Sequence, residues 1–340
     1  MDAYRVEGRE GLASLKRVDL SEPVAGDGEV VVEVRAASLN YRDLGILRGG
    51  YKRNDTNPVV PLSDGAGVVA SVGPNVGDWA VGDRVTMSFV QEWIDGPPTD
   101  AALGSSLGGG RDGVLRRRMA VPATGLVRTP ALLSDAEAAC LPCAGVTAWQ
   151  ALFEHRPLQT GETVLLLGTG GVSMFAQQLA TAAGANVVQT TSSEEKRERL
   201  HELGVSQTVN YRTHPDWATE VRSLTGGRGA DHIVEVGGPG TLSQSIRAAA
   251  VGGQIALIGV LEDPEAAVHP LPLLFELIRV QGIYVGSRVM LERLVDFLSE
   301  HTIRPHIDRT FGFDDAAEAF RYFRSQQHMG KVVIDFAAGE

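Results

Sequence analysis

The sequence predicts an α/β protein: a doubly wound, parallel, six-stranded sheet preceded by a β-rich part. Three observations predict it. The apolar run Val164-Leu165-Leu166-Leu167 ends in Gly168-Thr169-Gly170-Gly171-Val172-Ser173 and passes at once into an apolar-periodic segment, the order strand, tight turn, helix. From about residue 145 onward, extended and helical patterns alternate. Strands are expected over 163–167, 187–191, 208–211, 233–236, 254–258 and 283–285, with helices over 172–183, 194–203, 217–224, 242–250 and 273–280 between them. Up to about residue 125 the period is two instead, as where Val30, Val32 and Val34 alternate with Val31, Glu33 and Arg35.

The glycine turn is the first candidate site. Gly168 can take the backbone angles of a sharp turn, and Gly170 has no side chain to block a close phosphate. Gly171 and Val172 would then open a helix whose unpaired N–H groups and positive dipole end face that phosphate, with Thr169 lining the turn. The third glycine of the usual G-x-G-x-x-G pattern is Ser173, which still permits fairly close packing of helix on strand.

Composition narrows the class. The chain has 340 residues, enough for two domains, and a formal net charge of −11, which argues against a polyanion-binding surface. No nucleic-acid partner is expected. The start, Met1-Asp2-Ala3-Tyr4-Arg5, lacks the apolar core of a signal peptide, and no run is long enough to span a bilayer, so no membrane partner and a cytoplasmic location are expected. The two cysteines, Cys140 and Cys143, read as reduced thiols near a packed segment; one such pair cannot make a four-cysteine zinc site.

Within the β-rich part, 104–113 contains five glycines and two serines and reads as a mobile surface loop. Arg116-Arg117-Arg118 reads as a solvated strand face, with a phosphate contact as the alternative. After the alternating part come a helix over 291–299, an extended 303–313, a helix from Asp314 and a last strand over 332–336.

The second strand of the sheet predicts the nucleotide. An NAD site usually offers a carboxylate at that strand's tip for the ribose 2′-hydroxyl. Here the tip is Gln189-Thr190-Thr191-Ser192-Ser193, with Lys196 and Arg197 just beyond. Hydroxyls of Ser192 and Ser193 plus the Lys196 cation suit a 2′-phosphate, a dianion that a carboxylate would repel. NADPH is therefore placed ahead of NADH, although Glu194 or Glu195 could swing to a ribose hydroxyl.

The chain as a whole resembles the medium-chain dehydrogenase/reductase superfamily. The resemblance is carried by Asn40-Tyr41-Arg42-Asp43, by 61–69 around Ser63-Asp64-Gly65-Ala66-Gly67, by Val81-Gly82-Asp83-Arg84-Val85, by 141–149 around Cys143 and Thr147, by the glycine turn, by Val209-Asn210-Tyr211-Arg212 and by Gly330-Lys331-Val332-Val333-Ile334. It implies a GroES-like catalytic domain over 1–144 and 288–340 and a Rossmann dinucleotide-binding domain over 145–287. Zinc enzymes of the superfamily place Cys, His and Cys around a catalytic zinc; at those positions this chain has Asn40, Ser63 and Cys143. Asn and Ser are poor zinc donors, so the resemblance is to the zinc-independent, quinone-oxidoreductase-like branch, with no metal expected.

Without a Lewis acid, the substrate must accept hydride readily or be polarised by hydrogen bonds, as a quinone or an α,β-unsaturated carbonyl can be. The resemblance implies that Asn40 lies near the nicotinamide or the substrate carbonyl as a donor to developing charge. It implies that Thr147 lies beside the nicotinamide and that Tyr211 packs near the adenine. Gly259 and Val260 would offer backbone groups to the carboxamide, and Ser287 and Arg288 would close over the cofactor. Gly65 and Gly67 are read as structural. Tyr51, with Tyr41 as the other candidate, is a possible proton donor or merely an aromatic wall. Asp43 is a candidate catalytic residue or a structural carboxylate holding Arg42 or a loop N–H. The expected function is zinc-free hydride transfer from NADPH to a quinone, enone or other carbonyl substrate, by a homodimer paired through the sheet edge at 281–286. Two alternatives stand beside it: a metal-free NADP(H)-dependent alcohol or aldehyde dehydrogenase, and a non-catalytic NADPH-binding protein.

Overall fold

A computed structural model describes residues 1–50, 58–259 and 267–337. Two compact units are present: Met1–Val146 together with Val285–Glu340, and Thr147–Tyr284. The strands of the first stretch are β1 (Asp2–Val6), β2 (Leu15–Asp19), β3 (Glu29–Ser38), β4 (Asp64–Val72), β5 (Arg84–Met87), β6 (Arg118–Pro122) and β7 (Leu126–Arg128). Those of the second unit are β8 (Thr163–Leu166), β9 (Asn186–Thr191), β10 (Gln207–Asn210), β11 (Ala230–Glu235), β12 (Ala249–Leu257) and β13 (Arg279–Gly282). The chain then adds β14 (Ile307–Gly312) and β15 (Lys331–Asp335) to the first unit.

In the second unit every strand pairing is parallel, in the order β10-β9-β8-β11-β12-β13. The order reverses beside β8, where nucleotides bind in doubly wound sheets. Leu165, Val188, Val209, Ile233 and Ile255 fill its core, and the inner strands β8, β11 and β12 carry apolar runs rather than alternations.

The sixth strand differs from expectation. The helix ends early, Leu271–Phe275, and the strand is Arg279–Gly282, paired Gln254 with Arg279 through Leu257 with Gly282. An edge strand has little to bury, and Arg279, Val280 and Gly282 are exposed, so the apolar Ile283-Tyr284-Val285 looked more like a strand than the strand itself does.

In the first unit β14-β15-β3-β4-β5-β7 form one sheet, β6 also pairs with β3, and β1 pairs with β2. Glycines allow its strands to close up. A Cβ on Gly67 would lie 2.1 Å from the Glu33 carbonyl oxygen of the neighbouring strand.

Residues 104–113 do not form a mobile surface loop. Ser105, Ser106, Leu107, Gly108, Gly109 and Gly113 are buried. The glycines serve close approach: a Cβ on Gly113 would lie 2.0 Å from the Leu62 oxygen, and one on Gly108 2.7 Å from the Leu62 carbonyl carbon. The three arginines beyond also divide. Arg118 is exposed, but Arg117 donates to the Phe336 carbonyl at 2.7 Å and lies over the Phe313 ring, while Arg116 is largely covered and pairs with Asp112 at 3.3 Å.

Candidate active site

The glycine turn forms as the sequence requires. Gly168 has φ +70°, and no atom lies within 4 Å of where a Cβ would stand on Gly168 or Gly170. That open ground is what a phosphate needs over a helix start. Helix Gly171–Ala182 begins with Gly170 as its N-cap, which has no side chain to satisfy the first N–H groups. Thr169 is buried, whereas Gly171 and Val172 are partly exposed. Two side chains lock the turn from beneath: the Gly168 N–H donates to Thr190 Oγ1 at 3.0 Å, and Gln189 Nε2 donates to the Gly168 carbonyl at 2.9 Å. Ser173, in place of the third glycine, donates from Oγ to the Leu167 carbonyl at 2.6 Å.

At the tip of β9, Thr191 is buried with no partner for its hydroxyl among the described residues. Ser193 caps helix Glu194–Glu202, accepting from the Lys196 backbone N–H at 3.2 Å. Ser192, Ser193 and Lys196 are all partly exposed there. The Glu194 carboxylate accepts from Asn210 Nδ2 at 2.7 Å and pairs with Arg197 at 3.0 Å, while Glu195 is exposed. Tyr211 is 40% exposed and follows β10, its N–H on the Thr191 carbonyl at 3.0 Å. The open turn, the bare helix start and the orphaned Thr191 hydroxyl fit a dinucleotide.

Gly259 sits so close to the chain before it that a Cβ would lie 1.7 Å from the Val236 oxygen. Its N–H donates to the Glu235 carbonyl at 3.0 Å, so that donor is not open to a carboxamide. Glu235, missed by the sequence reading, is wholly buried and accepts from the N–H groups of Gly237 and Gly238 and from Thr241 and Ser245. It ties the end of β11 to helix Pro239–Ala248. A lone acid ending an apolar strand before Gly-Gly-Pro-Gly was the available signal. Val260 and Tyr51 lie outside the described residues.

The first unit gathers a second, charged cluster. Asn40 ends the chain segment after β3 and starts helix Tyr41–Ile46, its backbone N–H donating to Asp43 Oδ2 at 2.7 Å. Asp43 is therefore a helix-capping carboxylate. Burial raises its pKa to about 7, against the lowering pull of Arg42 and of the bond from Asn40. Tyr41 is 41% exposed, on the first turn of the same helix. Asp64, at the start of β4, receives Ser63 Oγ at 2.8 Å, Ser38 Oγ at 3.3 Å and the Cys143 backbone N–H at 3.3 Å. Lys331, the first residue of β15, is 2% exposed. Its ammonium donates to the Leu39 carbonyl at 2.8 Å and to Asn40 Oδ1 at 2.7 Å, and stands 3.5 Å from Asp64 Oδ2. Asn40 Nδ2 is buried without a partner among the described residues, a loss of about 1–3 kcal/mol unless a ligand accepts from it. The Gly330–Ile334 motif gave Lys331 no role of its own; a lysine opening an apolar strand was the available signal.

These residues do not fit a zinc ion. Asn40 Oδ1 and one Asp64 oxygen already face an ammonium, and Ser63 Oγ donates to Asp64. Both cysteines are free thiols. Zinc prefers thiolates and imidazoles, and a cation already occupies the acid's neighbourhood.

Cys143 lies in a π-helical turn over Leu141–Gly145, and another follows over Gln150–Glu154. Thr147 stands between them, 3% exposed. Such turns recur at functional sites, and sequence periodicity carried no sign of them. Ser287 is the buried N-cap of helix Arg288–Glu300, accepting from the Met290 N–H at 3.2 Å, and Arg288 pairs with Glu292 at 3.0 Å.

A parallel sheet with an open phosphate turn, in a chain that also has a β-rich unit carrying a buried polar cluster, defines an oxidoreductase that uses a nicotinamide nucleotide. The chain belongs to the medium-chain dehydrogenase/reductase superfamily: residues 26–131 match the alcohol dehydrogenase GroES-like domain and 171–300 the zinc-binding dehydrogenase family. It is 45% identical over 314 residues to a zinc-type alcohol dehydrogenase-like protein of Schizosaccharomyces pombe, covering 90% of each chain. A crystal structure of an NAD-dependent alcohol dehydrogenase is 33% identical, with a TM-score of 0.90 over 99% of this chain and all of that one. A mycobacterial protein solved with NADPH is 26% identical, with a TM-score of 0.82 over 98% of this chain and 100% of that one.

Proposed function

We propose that the protein transfers hydride from NADPH to a quinone or an α,β-unsaturated carbonyl without zinc. The observation that carries this is the Lys331 ammonium bonded to Asn40 and facing Asp64, where zinc relatives need a metal. When bound, NADPH supplies the hydride. The Gly168-Thr169-Gly170-Gly171-Val172 turn would hold its pyrophosphate by backbone N–H groups. Ser192, Ser193 and Lys196 would hold the 2′-phosphate, with Tyr211 against the adenine. The two solved relatives divide between NAD and NADPH, so the preference rests on the tip of β9, which has no carboxylate, and on the engagement of Glu194 elsewhere. Thr147, Ser287, Arg288, the Gly259 carbonyl and the Val260 backbone are assigned to the nicotinamide end, the Gly259 N–H being taken by Glu235. Asn40 Nδ2 would donate to the oxygen on which negative charge develops. Tyr51 or solvent would return the proton, and Asp43 holds the Asn40 backbone rather than the substrate.

We assign residues 1–144 and 288–340 to the catalytic domain and 145–287 to the nucleotide domain. Exposed Leu274, Phe275, Leu277 and Val280 beside the edge strand β13 support a homodimer. No helix among the described residues is long and apolar enough to cross a membrane. We place the protein in the cytoplasm, acting on small molecules.

The test is NADPH oxidation across a panel of quinones and enones, with zinc measured on the same sample. Turnover at no more than trace zinc is expected; one zinc per chain removes the metal-free reading. The relatives' names favour a second reading, oxidation of simple alcohols or reduction of aldehydes. Alcohol-dependent NADP⁺ reduction with no enone activity would select it. Tight NADPH binding with no turnover on either panel would select a non-catalytic role.

A further inference from the structure

We infer that Lys331 is a positioning residue: its ammonium fixes the orientation of the Asn40 amide so that Nδ2 is presented as a hydrogen-bond donor to the oxygen of the carbonyl substrate. An ammonium has three donors and no acceptor. The Asn40 atom that meets Lys331 Nζ at 2.7 Å is therefore the oxygen, and the amide cannot turn over while that bond holds. Lys331 has little freedom of its own. It is 2% exposed, its second bond goes to the Leu39 carbonyl at 2.8 Å, and Asp64 Oδ2 stands 3.5 Å away. Asp64 is held in turn by Ser38, Ser63 and the Cys143 N–H. The Asn40 backbone is pinned separately, by Asp43.

The consequence falls on Nδ2. It is buried and has no acceptor among the described residues, whereas Asn40 Oδ1 and the Leu39 carbonyl are engaged by the ammonium and the Asp64 oxygens by Ser63, Ser38 and the Cys143 N–H. A buried amide donor held in one orientation and left unpaired calls for an acceptor from a ligand. A carbonyl oxygen that gains negative charge on hydride addition is such an acceptor. Lys331 would thus act on the reaction through Asn40, without touching the substrate. The inference rests on the reading that the protein reduces a carbonyl substrate.

The test is a double-mutant cycle of Asn40→Ala and Lys331→Met, with kcat and KM measured for the best enone or quinone and NADPH affinity measured by fluorescence. Each single change is expected to lower kcat, by about 100-fold for Asn40→Ala and by about 10-fold or more for Lys331→Met. NADPH affinity should stay within about twofold, since the phosphate turn is built in the other unit. The double mutant should be no slower than Asn40→Ala alone, because Lys331 has nothing left to orient. Losses that multiply overturn the inference. Asn40→Asp serves if Lys331→Met does not fold. It keeps an acceptor for Lys331 but puts a carboxylate oxygen where the donor was, so kcat should fall about 100-fold while the variant still folds around the Lys331 ion pair; a wild-type kcat overturns the inference. Failure of the wild type on every carbonyl substrate overturns the reading and this inference together, whereas turnover with multiplicative losses overturns the inference alone.

Discussion

Ser173 Oγ donates to the carbonyl of Leu167 at 2.6 Å, so the residue that departs from the glycine pattern binds the helix of the phosphate turn to its strand. Restoring the usual glycine should therefore weaken the protein. Ser173→Gly loses a buried hydrogen bond and adds a glycine to a helix, a loss of about 1–2 kcal/mol. Urea unfolding with an unchanged m-value measures it; a higher midpoint would contradict the role given to this bond.

Lys196→Ala should weaken NADPH about 10- to 100-fold, the worth of one charge-assisted hydrogen bond to a phosphate. NADH, which has no 2′-phosphate, should change by less than about threefold. Fluorescence titration of both nucleotides decides, and equal losses would remove the 2′-phosphate role.

Gly113→Ala would put a methyl group 2.0 Å from the Leu62 oxygen and 2.5 Å from the Pro61 oxygen. Backbone must move to admit it, and destabilisation of about 1–3 kcal/mol is expected. Gly161→Ala is a control of a different kind: its φ is +83° but no atom lies near, so only conformational strain is added. Thermal unfolding of the two variants compares contact with strain.

Two buried groups make stability depend on pH in opposite directions. Burial raises Asp43 from 3.8 to about 7, so the folded state binds its proton more tightly. That contribution is fully present below about pH 4 and is lost as pH rises through about 7. His232 is lowered from 6.5 to about 4, by burial first and by Arg156 next, so its contribution is present above about pH 6.5 and is lost as pH falls towards 4. The two partly cancel in the wild type. Asp43→Asn removes one of them. Relative to the wild type, it should gain roughly 1 kcal/mol per pH unit between pH 5 and 7. Unfolding free energies of both proteins across that range give the difference directly, and parallel curves would refute the assignment.

Phe275 is 74% exposed in the short helix before β13. Phe275→Glu should leave the fold intact and shift the protein from two copies to one in sedimentation. A wild-type monomer at micromolar concentration would refute the edge-strand dimer.

The nucleotide half was largely legible. Inner parallel strands are covered on both faces and carry apolar residues, so β8, β9, β11 and β12 were marked by residue type; β10, at the other edge, was marked by its place in the strand–helix alternation, and local turn chemistry announced the Gly168 turn. β13 escaped because an edge strand needs no apolar face. The buried 104–113 segment escaped because glycine marks both flexible turns and close backbone contacts, and only the neighbour at Leu62 distinguishes them.

By itself, then, the sequence determined the fold class and the place of the phosphate turn, both properties of residue type and short spacing, while the reading of Asn40 and Ser63 as stand-ins for metal ligands came from the family resemblance. Only the tertiary structure decided that Lys331 meets Asn40 and Asp64, that Asp43 is a cap, and that Glu194 is held by Asn210. The Lys331–Asn40 contact joins residues 291 positions apart, brought together where β15 pairs with β3. No local pattern carries such a contact, because strand pairing is set by the whole sheet.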